Sequence, residues 1–111
     1  MKIGPFSSLW VFNVPNFVEW MTKAQSAIET LQNLTGFIEA QVGRSPDEPH
    51  RLVVTTKWVD VGSYRRALSS TAAKMNVWPF LATMHDQPSA FEVLLSADGT
   101  EVHTYESSLE N

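Results

Sequence analysis

The sequence predicts one small α+β domain of ferredoxin-like βαββαβ plan, with an antiparallel four-stranded sheet and helices on one of its faces. Three observations lead to this fold class. The chain has 111 residues, which suits a single hydrophobic core. The spacing of its apolar residues changes in the order strand, helix, strand, strand, broken helix, strand. The first strand is apolar on both faces, so one layer of helices cannot cover it.

The first strand is predicted over residues 6–14, where bulky apolar side chains alternate on both faces. Pro15 suits the first turn of a helix, because the N–H that proline lacks would have no partner there. The next apolar residues recur at steps of three and four and form one helical stripe. Gly36 is predicted to end this helix as its C′ residue.

A hairpin is predicted to follow the first helix. Residues 36–45 alternate between apolar and polar side chains, and residues 51–59 are rich in β-branched residues. The segment between them, residues 45–50, is dense in turn formers. The two strands are therefore expected to pair antiparallel.

The second helical region is predicted to be interrupted. Asp60 is placed to cap its first helix, because its carboxylate can accept backbone N–H groups. Ser69 and Ser70 indicate a break with a fresh cap. A second helical piece over residues 71–78 then ends at Pro79.

The last strand is predicted at residues 89–95, after turn formers at 86–88. Right-handed crossovers give the four strands the spatial order 4-1-3-2. The domain is expected to span residues 1–97. Residues 98–111 are acidic and weakly patterned, and are predicted to be a C-terminal tail, either frayed or with a short extra strand near residues 101–105.

Composition excludes several classes of function. The net charge is -4 and no dense basic face is present, which argues against nucleic acid as a partner. No cysteine is present, so disulfides, thiolate nucleophiles and sulfur-ligated metals are excluded, and a reducing cytoplasm is the expected compartment. No apolar run approaches the roughly 18 residues of a spanning helix, so no membrane segment is expected.

Motifs for metals and cofactors are also missing from the sequence. The three histidines, His50, His85 and His103, lack the close spacing of a metal pair. The five glycines are too scattered for a dinucleotide or phosphate loop, and no serine stands in a nucleophile elbow. The sequence therefore predicts no metal, no NAD and no flavin.

Gly36-Phe37-Ile38 opens a strand, Arg44 to Pro49 forms the hairpin loop, Lys57-Trp58-Val59-Asp60 ends the next strand, and Tyr64 follows on a helix. In this order and spacing, these segments resemble the antibiotic biosynthesis monooxygenase family, from about Phe6 to Leu95. The resemblance implies a dimeric α+β barrel with a pocket between helices and sheet in each subunit. It agrees with the apolar first strand, which already predicts a homodimer paired through the sheet face.

The haem-degrading branch of this superfamily is a poor match. Its Asn, Trp and His positions correspond here to Ser7 or Ser8, Ala67 and Val77, none of which can do the corresponding work. Haem is therefore not expected, and the resemblance implies a protein without a cofactor.

The phenol-oxidising members are a better match. They resemble this chain in the strand-end Trp58 and in the hydroxyl of Tyr64 on the next helix. They also carry a polar amide where this chain has Val54, so one working group is missing. Trp58 is predicted either to stack on a planar substrate or to fill the core. Tyr64 is predicted either to orient a phenol oxygen or to be a buried tyrosine with a satisfied hydroxyl.

Four further residues complete the predicted site. Trp78, Phe80 and Met84 lie around the Pro79 break and are candidate lining groups, with plain core packing as the alternative. His85 precedes the last strand and is the candidate general base, with a solvated loop histidine as the alternative.

Three functions remain open from the sequence. The leading hypothesis is a cofactor-independent monooxygenase that oxidises an electron-rich phenol or hydroquinone with O₂, in a pocket that excludes water. The second is a non-catalytic dimeric module that binds a small apolar ligand or only assembles. The third is a cofactor-free isomerase or decarboxylase, which would need Tyr64 and His85 as its acid and base.

Overall fold

The computed structural model describes residues 2–85 and 89–109, so the predicted turn at 86–88 and the last two residues of the predicted tail lie outside the described part. The elements in chain order are β1 (Phe6–Asn13), α1 (Phe17–Gln32), β2 (Phe37–Arg44), β3 (Arg51–Trp58), α2 (Val61–Ser69), α3 (Thr71–Asn76), α4 (Trp78–Leu81), β4 (Ser89–Glu92), β5 (Leu95–Ala97) and β6 (Val102–Thr104).

The main sheet has the order β2-β3-β1-β4, and all its neighbouring strands are antiparallel. β1 pairs with β3 from Phe6 opposite Trp58 to Asn13 opposite Arg51. This confirms the predicted strand order and the ferredoxin-like α+β class. β4 is shorter than predicted and ends at Glu92. The backbone N–H of Val93 still donates to the carbonyl of Pro5, but proline has no N–H to make the reciprocal bond, and the chain then enters a separate hairpin.

The core lies between the helices and the inner face of the sheet. Trp10 and Phe12 of β1, with Leu52 and Val54 of β3, are almost completely buried there. α1 covers them with its buried stripe of Trp20, Ala24, Ala27 and Leu31. Each buried leucine- or phenylalanine-sized side chain stabilises the fold by about 1.5–3 kcal/mol, so this layer dominates stability.

Two predicted helix caps are confirmed, whereas Pro15 and Gly36 do not occupy the positions predicted for them. Pro15 lies before the N-cap of α1, which is Asn16, and so outside the first turn. Asp60 caps α2 by accepting the N–H of Ser63 at 2.8 Å, and Ser70 caps α3 by accepting the N–H of Ala73 at 3.1 Å, as predicted. The prediction that Gly36 is the C′ residue of α1 is wrong. α1 ends at Gln32 with Asn33 as its C-cap, and Gly36 (φ +91°) makes the later turn into β2.

The outer sheet face is the face away from the helices. Its apolar centre is Leu9 and Val11 of β1 with Val53 of β3, and Phe91 on β4 is half exposed. Ser7 lies on the same face, because it pairs with Lys57 and Phe91. The second face of β1 is thus apolar in its middle and polar at its start.

β5 and β6 form a two-stranded sheet of their own, here called the C-terminal hairpin (residues 94–104). Leu95 pairs with Thr104 and Ala97 pairs with Val102. Across the described residues, no helix has both the length and the apolar character needed to cross a membrane.

Candidate functional site

A cavity lies between the N-terminal half of α1 and the α3–α4 segment, at the end of β1. Its volume is about 540 Å³, within the range of small-molecule sites. Three structural sources meet there: the strand end, the capped start of α1 and the helical pieces around Pro79. The lining residues are Asn13, Val14, Pro15, Asn16, Glu19, Trp20, Lys23, Ser26, Met75, Asn76, Pro79, Phe80 and Thr83.

The inner wall of the cavity is aromatic. The Trp20 and Phe80 rings lie 5.4 Å apart between centroids, and both pack on Phe12, at 5.2 and 4.7 Å. Phe12 is completely buried, and Trp20 and Phe80 are nearly so. Rings fixed in this way form a rigid apolar surface on which a planar ligand can stack.

The rim of the cavity is polar. Asn16 uses its Oδ1 to accept the N–H of Glu19 at 3.1 Å, which caps α1 and fixes the amide at the cavity edge. Glu19 and Lys23 form an exposed ion pair of 3.2 Å one turn further along. Asn13 and Asn76 add two more amides to the rim. These groups can hydrogen-bond oxygen atoms at the edge of a bound ring.

His85 lies next to this rim through Asn13. The Asn13 Nδ2 atom is 2.8 Å from Nδ1 of His85, and the backbone N–H of His85 donates to the carbonyl of Val11 at 2.8 Å. When the amide donates to Nδ1, the neutral imidazole carries its hydrogen on Nε2, and turning the amide reverses the tautomer. The His85 side chain is exposed at this position.

A second polar group of side chains lies inside the core, at the other end of β1. The hydroxyls of Ser8 and Thr56 are 2.5 Å apart, and the indole N–H of Trp58 donates to Oγ1 of Thr56 at 2.9 Å. All three residues are almost fully buried. Tyr64 packs its ring on Phe6 at 5.1 Å. A buried hydroxyl network of this kind is stable only because its members satisfy one another.

Burial raises the pKa of the Tyr64 phenol above its ordinary value, which outweighs the opposing effects of the Trp10 indole N–H and the Ser8 hydroxyl. Tyr64 is therefore a neutral hydrogen-bond donor at physiological pH. Trp10 Nε1 is close enough to influence this pKa, but it has no partner of ordinary hydrogen-bond geometry among the described residues. Such an unpaired buried donor costs the fold about 1–3 kcal/mol.

The structure separates the two predicted catalytic residues. Tyr64 packs on Phe6 at the start of β1, whereas His85 bonds to Asn13 at its end. Roughly 23 Å of strand separates these two positions, at about 3.3 Å per residue. Tyr64 and His85 therefore do not form the acid–base pair that an isomerase or decarboxylase would need.

Of the four predicted binding residues, one lines the cavity and three lie elsewhere. Phe80 lines the cavity. Trp58 has no exposed surface and packs 6.1 Å from Tyr64 in the core. Trp78 is half exposed, and its indole N–H donates to the carbonyl of Leu68 at 2.8 Å. Met84 is partly buried against the core. Trp58, Trp78 and Met84 do not line the cavity.

Sequence reasoning missed Trp20 and Asn13. Trp20 was not distinguished from the core stripe of α1, because nothing in the spacing shows that this position faces an empty volume. Asn13 is the last residue of β1, and His85 precedes β4. Because the predicted strand order makes β1 and β4 antiparallel neighbours, it also implies that Asn13 and His85 lie close together.

Within residues 2–85 and 89–109, no group of three or more His, Cys, Asp or Glu side chains is arranged to hold a metal ion. The chemistry open to the cavity is stacking, hydrogen bonding and proton transfer at its rim.

The family model described as antibiotic biosynthesis monooxygenase matches residues 16–75 of the chain. This range begins at the N-cap of α1 and ends within α3, so it includes α1, β2, β3 and α2, with Thr56 and Trp58 of the buried hydroxyl network and the cavity wall on α1. No curated protein sequence matches the chain.

Several solved structures share the fold. A point mutant of SnoaB, described as a cofactor-independent oxygenase from Streptomyces nogalater, has a TM-score of 0.75 at 17% identity, covering 87% of this chain and 98% of that one. A conserved protein from Methanosarcina mazei Go1 has a TM-score of 0.67 at 16% identity, covering 94% and 95%. Protein SO0527 from Shewanella oneidensis has a TM-score of 0.64 at 15% identity, covering 83% and 91%.

Proposed function

Because the chain belongs to the antibiotic biosynthesis monooxygenase family, we propose that it is a cofactor-independent monooxygenase of an electron-rich phenol or hydroquinone. The observation that carries this proposal is the 540 Å³ cavity with a rigid aromatic wall and an amide rim. The description of SnoaB as a cofactor-independent oxygenase on the same fold supports it.

In this proposal the substrate ring stacks on Trp20 and Phe80, and its oxygens meet the rim amides of Asn13 and Asn76. The Asn13 amide is turned so that its oxygen accepts the Nδ1–H of His85, which leaves Nε2 of the imidazole to accept the phenol proton. Exclusion of water by the aromatic wall keeps the phenolate reactive.

The oxidation needs only the substrate and O₂. The phenolate gives one electron to O₂, and the resulting superoxide joins the ring radical at carbon to form a peroxide anion. This anion takes back the proton held by His85 and becomes a hydroperoxide. Loss of water from this hydroperoxide leaves a carbonyl, so one oxygen atom enters the product and the other leaves as water. Anthrone oxidised in this way gives anthraquinone.

Tyr64 and Trp58 have a separate proposed role. The family resemblance assigns Trp58 and Tyr64 to substrate contact, and the Pro79 break predicts Trp78 and Met84 as lining groups, but these side chains lie outside the cavity. Under the proposal, Tyr64 and Trp58 reach the substrate only if the core opens between α2 and β3. A Tyr64→Phe variant that keeps its activity would restrict the reaction to the cavity end of β1.

Oxygen uptake with anthrone and dihydroxyanthracene tests the proposal. The wild-type protein is expected to consume O₂ above a heat-killed control, and His85→Gln is expected to lose about 100-fold in kcat. Ser26→Trp places a large ring in the cavity and is expected to lower kcat/KM at least about tenfold, while Ser69→Trp on the exposed side of α2 serves as the matched control. No uptake by wild-type protein would overturn the proposal.

A second candidate function is a non-catalytic module that binds a small apolar ligand. The observation that favours it is the close packing of Trp58 and Tyr64, the residues that match the oxygenase pattern. Anthraquinone binding that quenches tryptophan fluorescence, without any oxygen uptake from anthrone, would support this function over the first.

The proposed assembly is a homodimer paired through the outer sheet face. Half-exposed Leu9 and Phe91 with partly buried Val11 and Val53 give this face an apolar centre that a second copy would cover. The absence of cysteine agrees with the cytoplasm as the proposed compartment.

A further inference from the structure

Met75 differs from the other methionines that the structure describes. Its side chain is 70% exposed, whereas Met21 and Met84 are partly buried and pack against the hydrophobic core. Met75 also lines the cavity of about 540 Å³. A side chain that borders a cavity and is open to solvent lies at the mouth of that cavity.

The helical geometry of the α3–α4 segment explains this position. Ala73 and Val77 lie four residues apart, and both are fully buried and hold the segment on the core. The cavity side of the segment is a stripe of residues at steps of three and four: Asn76, Pro79, Phe80 and Thr83. Met75 lies one turn before Pro79, at the outer edge of this stripe.

The two sides of the mouth differ in polarity. On α1 the mouth is bordered by the exposed polar side chains of Glu19, Lys23 and Ser26. On the opposite side lies the thioether of Met75. The other exposed apolar residues of the lining are prolines, whose rings are rigid. Met75 is therefore the adaptable apolar contact that the mouth offers to the outer part of a ligand.

The sulfur of an exposed methionine is open to oxidation by peroxides. In this step the O–O bond of the peroxide breaks and one of its oxygen atoms bonds to sulfur. The other oxygen leaves as water from hydrogen peroxide, or as an alcohol from an organic hydroperoxide. Sulfur loses the electron pair that the peroxide gains. The product is methionine sulfoxide, which is polar and which sulfoxide reductases convert back, one enzyme for each epimer.

We propose that Met75 is a modification site where a peroxide forms methionine sulfoxide, and that this sulfoxide weakens the binding of apolar ligands in the cavity. The sulfoxide oxygen stands where the thioether contacts the ligand. This oxygen has to give up its water when an apolar ligand binds, and that desolvation opposes binding. Because the reductases remove the oxygen, the modification is a reversible control of the cavity.

This control concerns the cavity of the proposed function, and it rests on that proposal for the nature of the ligand. The proposed oxidation forms a hydroperoxide in the cavity that Met75 lines, so an oxidant arises close to the sulfur. Hydrogen peroxide added from outside oxidises Met75 without any turnover. The modification can therefore be tested separately from the oxygenase activity.

Peptide mass spectrometry after mild treatment with hydrogen peroxide gives the first test. Met75 is expected to gain one oxygen atom at least about tenfold faster than Met21 or Met84, because the core shields the sulfurs of these two residues. Circular dichroism verifies that the oxidised protein remains folded. Equal rates of oxidation at the three positions would overturn the proposed site.

Binding of anthraquinone-2-sulfonate, measured by equilibrium dialysis before and after peroxide treatment, gives the second test. The wild-type Kd is expected to rise at least about fourfold and to return after treatment with both sulfoxide reductases. Met75→Leu cannot form a sulfoxide, so its Kd after peroxide is expected to equal its own value before peroxide. Met21→Leu is the matched control and is expected to respond to peroxide as the wild-type protein does. Met75→Gln, which has a polar group on a side chain of similar length, is expected to bind weakly without peroxide.

The outcomes separate this control from the proposed function. A wild-type Kd that stays constant while Met75 is oxidised overturns the control, and so does an equal rise for Met75→Leu. Unmodified protein that binds no anthraquinone-2-sulfonate also overturns it. Absence of oxygen uptake from anthrone overturns only the oxygenase. A rise in Kd that requires Met75 and is reversed by the reductases supports the control.

Discussion

The Trp58 indole N–H donates its hydrogen bond to the hydroxyl of Thr56, two residues earlier on the same strand. Because Thr56 also contacts the Ser8 hydroxyl on β1, one threonine joins two strands and fixes the orientation of a fully buried indole. No apolar residue of similar size can replace it without leaving two buried polar groups unpaired.

Replacement of Thr56 by valine is therefore expected to destabilise the protein by about 2–4 kcal/mol, since the Ser8 hydroxyl and the Trp58 N–H both lose a partner. The measurement is the free energy of unfolding in urea. Thr55→Val, on the outer sheet face, is the matched control and should change that free energy by no more than about 0.5 kcal/mol. If the two substitutions changed the free energy of unfolding equally, the buried hydroxyl network would not be what stabilises the fold at Thr56.

Gly36 has a φ of +91°, and a β-carbon at this position would collide with the Ser63 side chain. Gly36→Ala is expected to cost about 1–3 kcal/mol, because it adds backbone strain to a collision. Gly99→Ala, where no atom lies within 4 Å of the added carbon, is the control and should be nearly neutral. The melting temperatures of both variants, measured by thermal unfolding, test this prediction. An unchanged melting temperature for Gly36→Ala would refute the expected destabilisation.

Asp60 is expected to contribute to acid stability through its cap. The backbone N–H of Ser63, with smaller effects from the Ser63 hydroxyl and Arg66, holds the pKa of Asp60 below its ordinary value. Because the folded pKa is the lower one, this contribution is present above the unfolded pKa of about 3.9 and is lost as the pH falls through the folded value.

Asp60→Ala is accordingly expected to lower stability by about 1 kcal/mol at pH 7, with a smaller difference from wild type below about pH 4. Urea denaturation at a series of pH values measures this. Asp47→Ala in the exposed hairpin loop is the control for removal of a carboxylate. A difference that stays constant down to about pH 2.5 would be evidence against the cap.

Tyr64 is expected to control stability at high pH. Burial raises the pKa of its phenol, so the fold favours the neutral form. This stabilising contribution is complete below the unfolded pKa of about 10 and is lost as the pH rises through the folded value. Stability should therefore decline above about pH 10, and Tyr64→Phe should show a smaller decline. Tyr105→Phe is the matched control, and the urea midpoint between about pH 8 and pH 11 is the measurement.

The fold was predictable from the sequence because its signals are local. The alternation in β1, the turn-rich loop before β3, and the caps at Asp60 and Ser70 each act within a few residues. The failures occurred where one neighbouring or facing residue decides the outcome. The prediction for Gly36 is wrong because Asn33 already ends α1, and β4 ends early where it faces Pro5, which has no N–H to offer the sheet.

The candidate site was less accessible to sequence reasoning. Tyr64 and His85 were considered as a pair, but β1 holds them at opposite ends. Of the predicted lining residues, only Phe80 faces the cavity, because the direction of Trp78 and Met84 depends on how α3 and α4 pack on α1. The cavity exists because of how the helices pack on one another, and the spacing of apolar residues along the sequence does not reveal it.

The different exposure of the four tryptophans allows their fluorescence to report whether the cavity is occupied. Trp10, Trp20 and Trp58 are shielded from solvent, whereas Trp78 is 48% exposed and has the Lys74 ammonium 5.6 Å from its ring centre. A water-soluble quencher such as iodide would suppress the emission of Trp78 selectively. The remaining blue-shifted light would come from the shielded indoles, and an absorbing molecule stacked on Trp20 would dim it by energy transfer, without any attached dye.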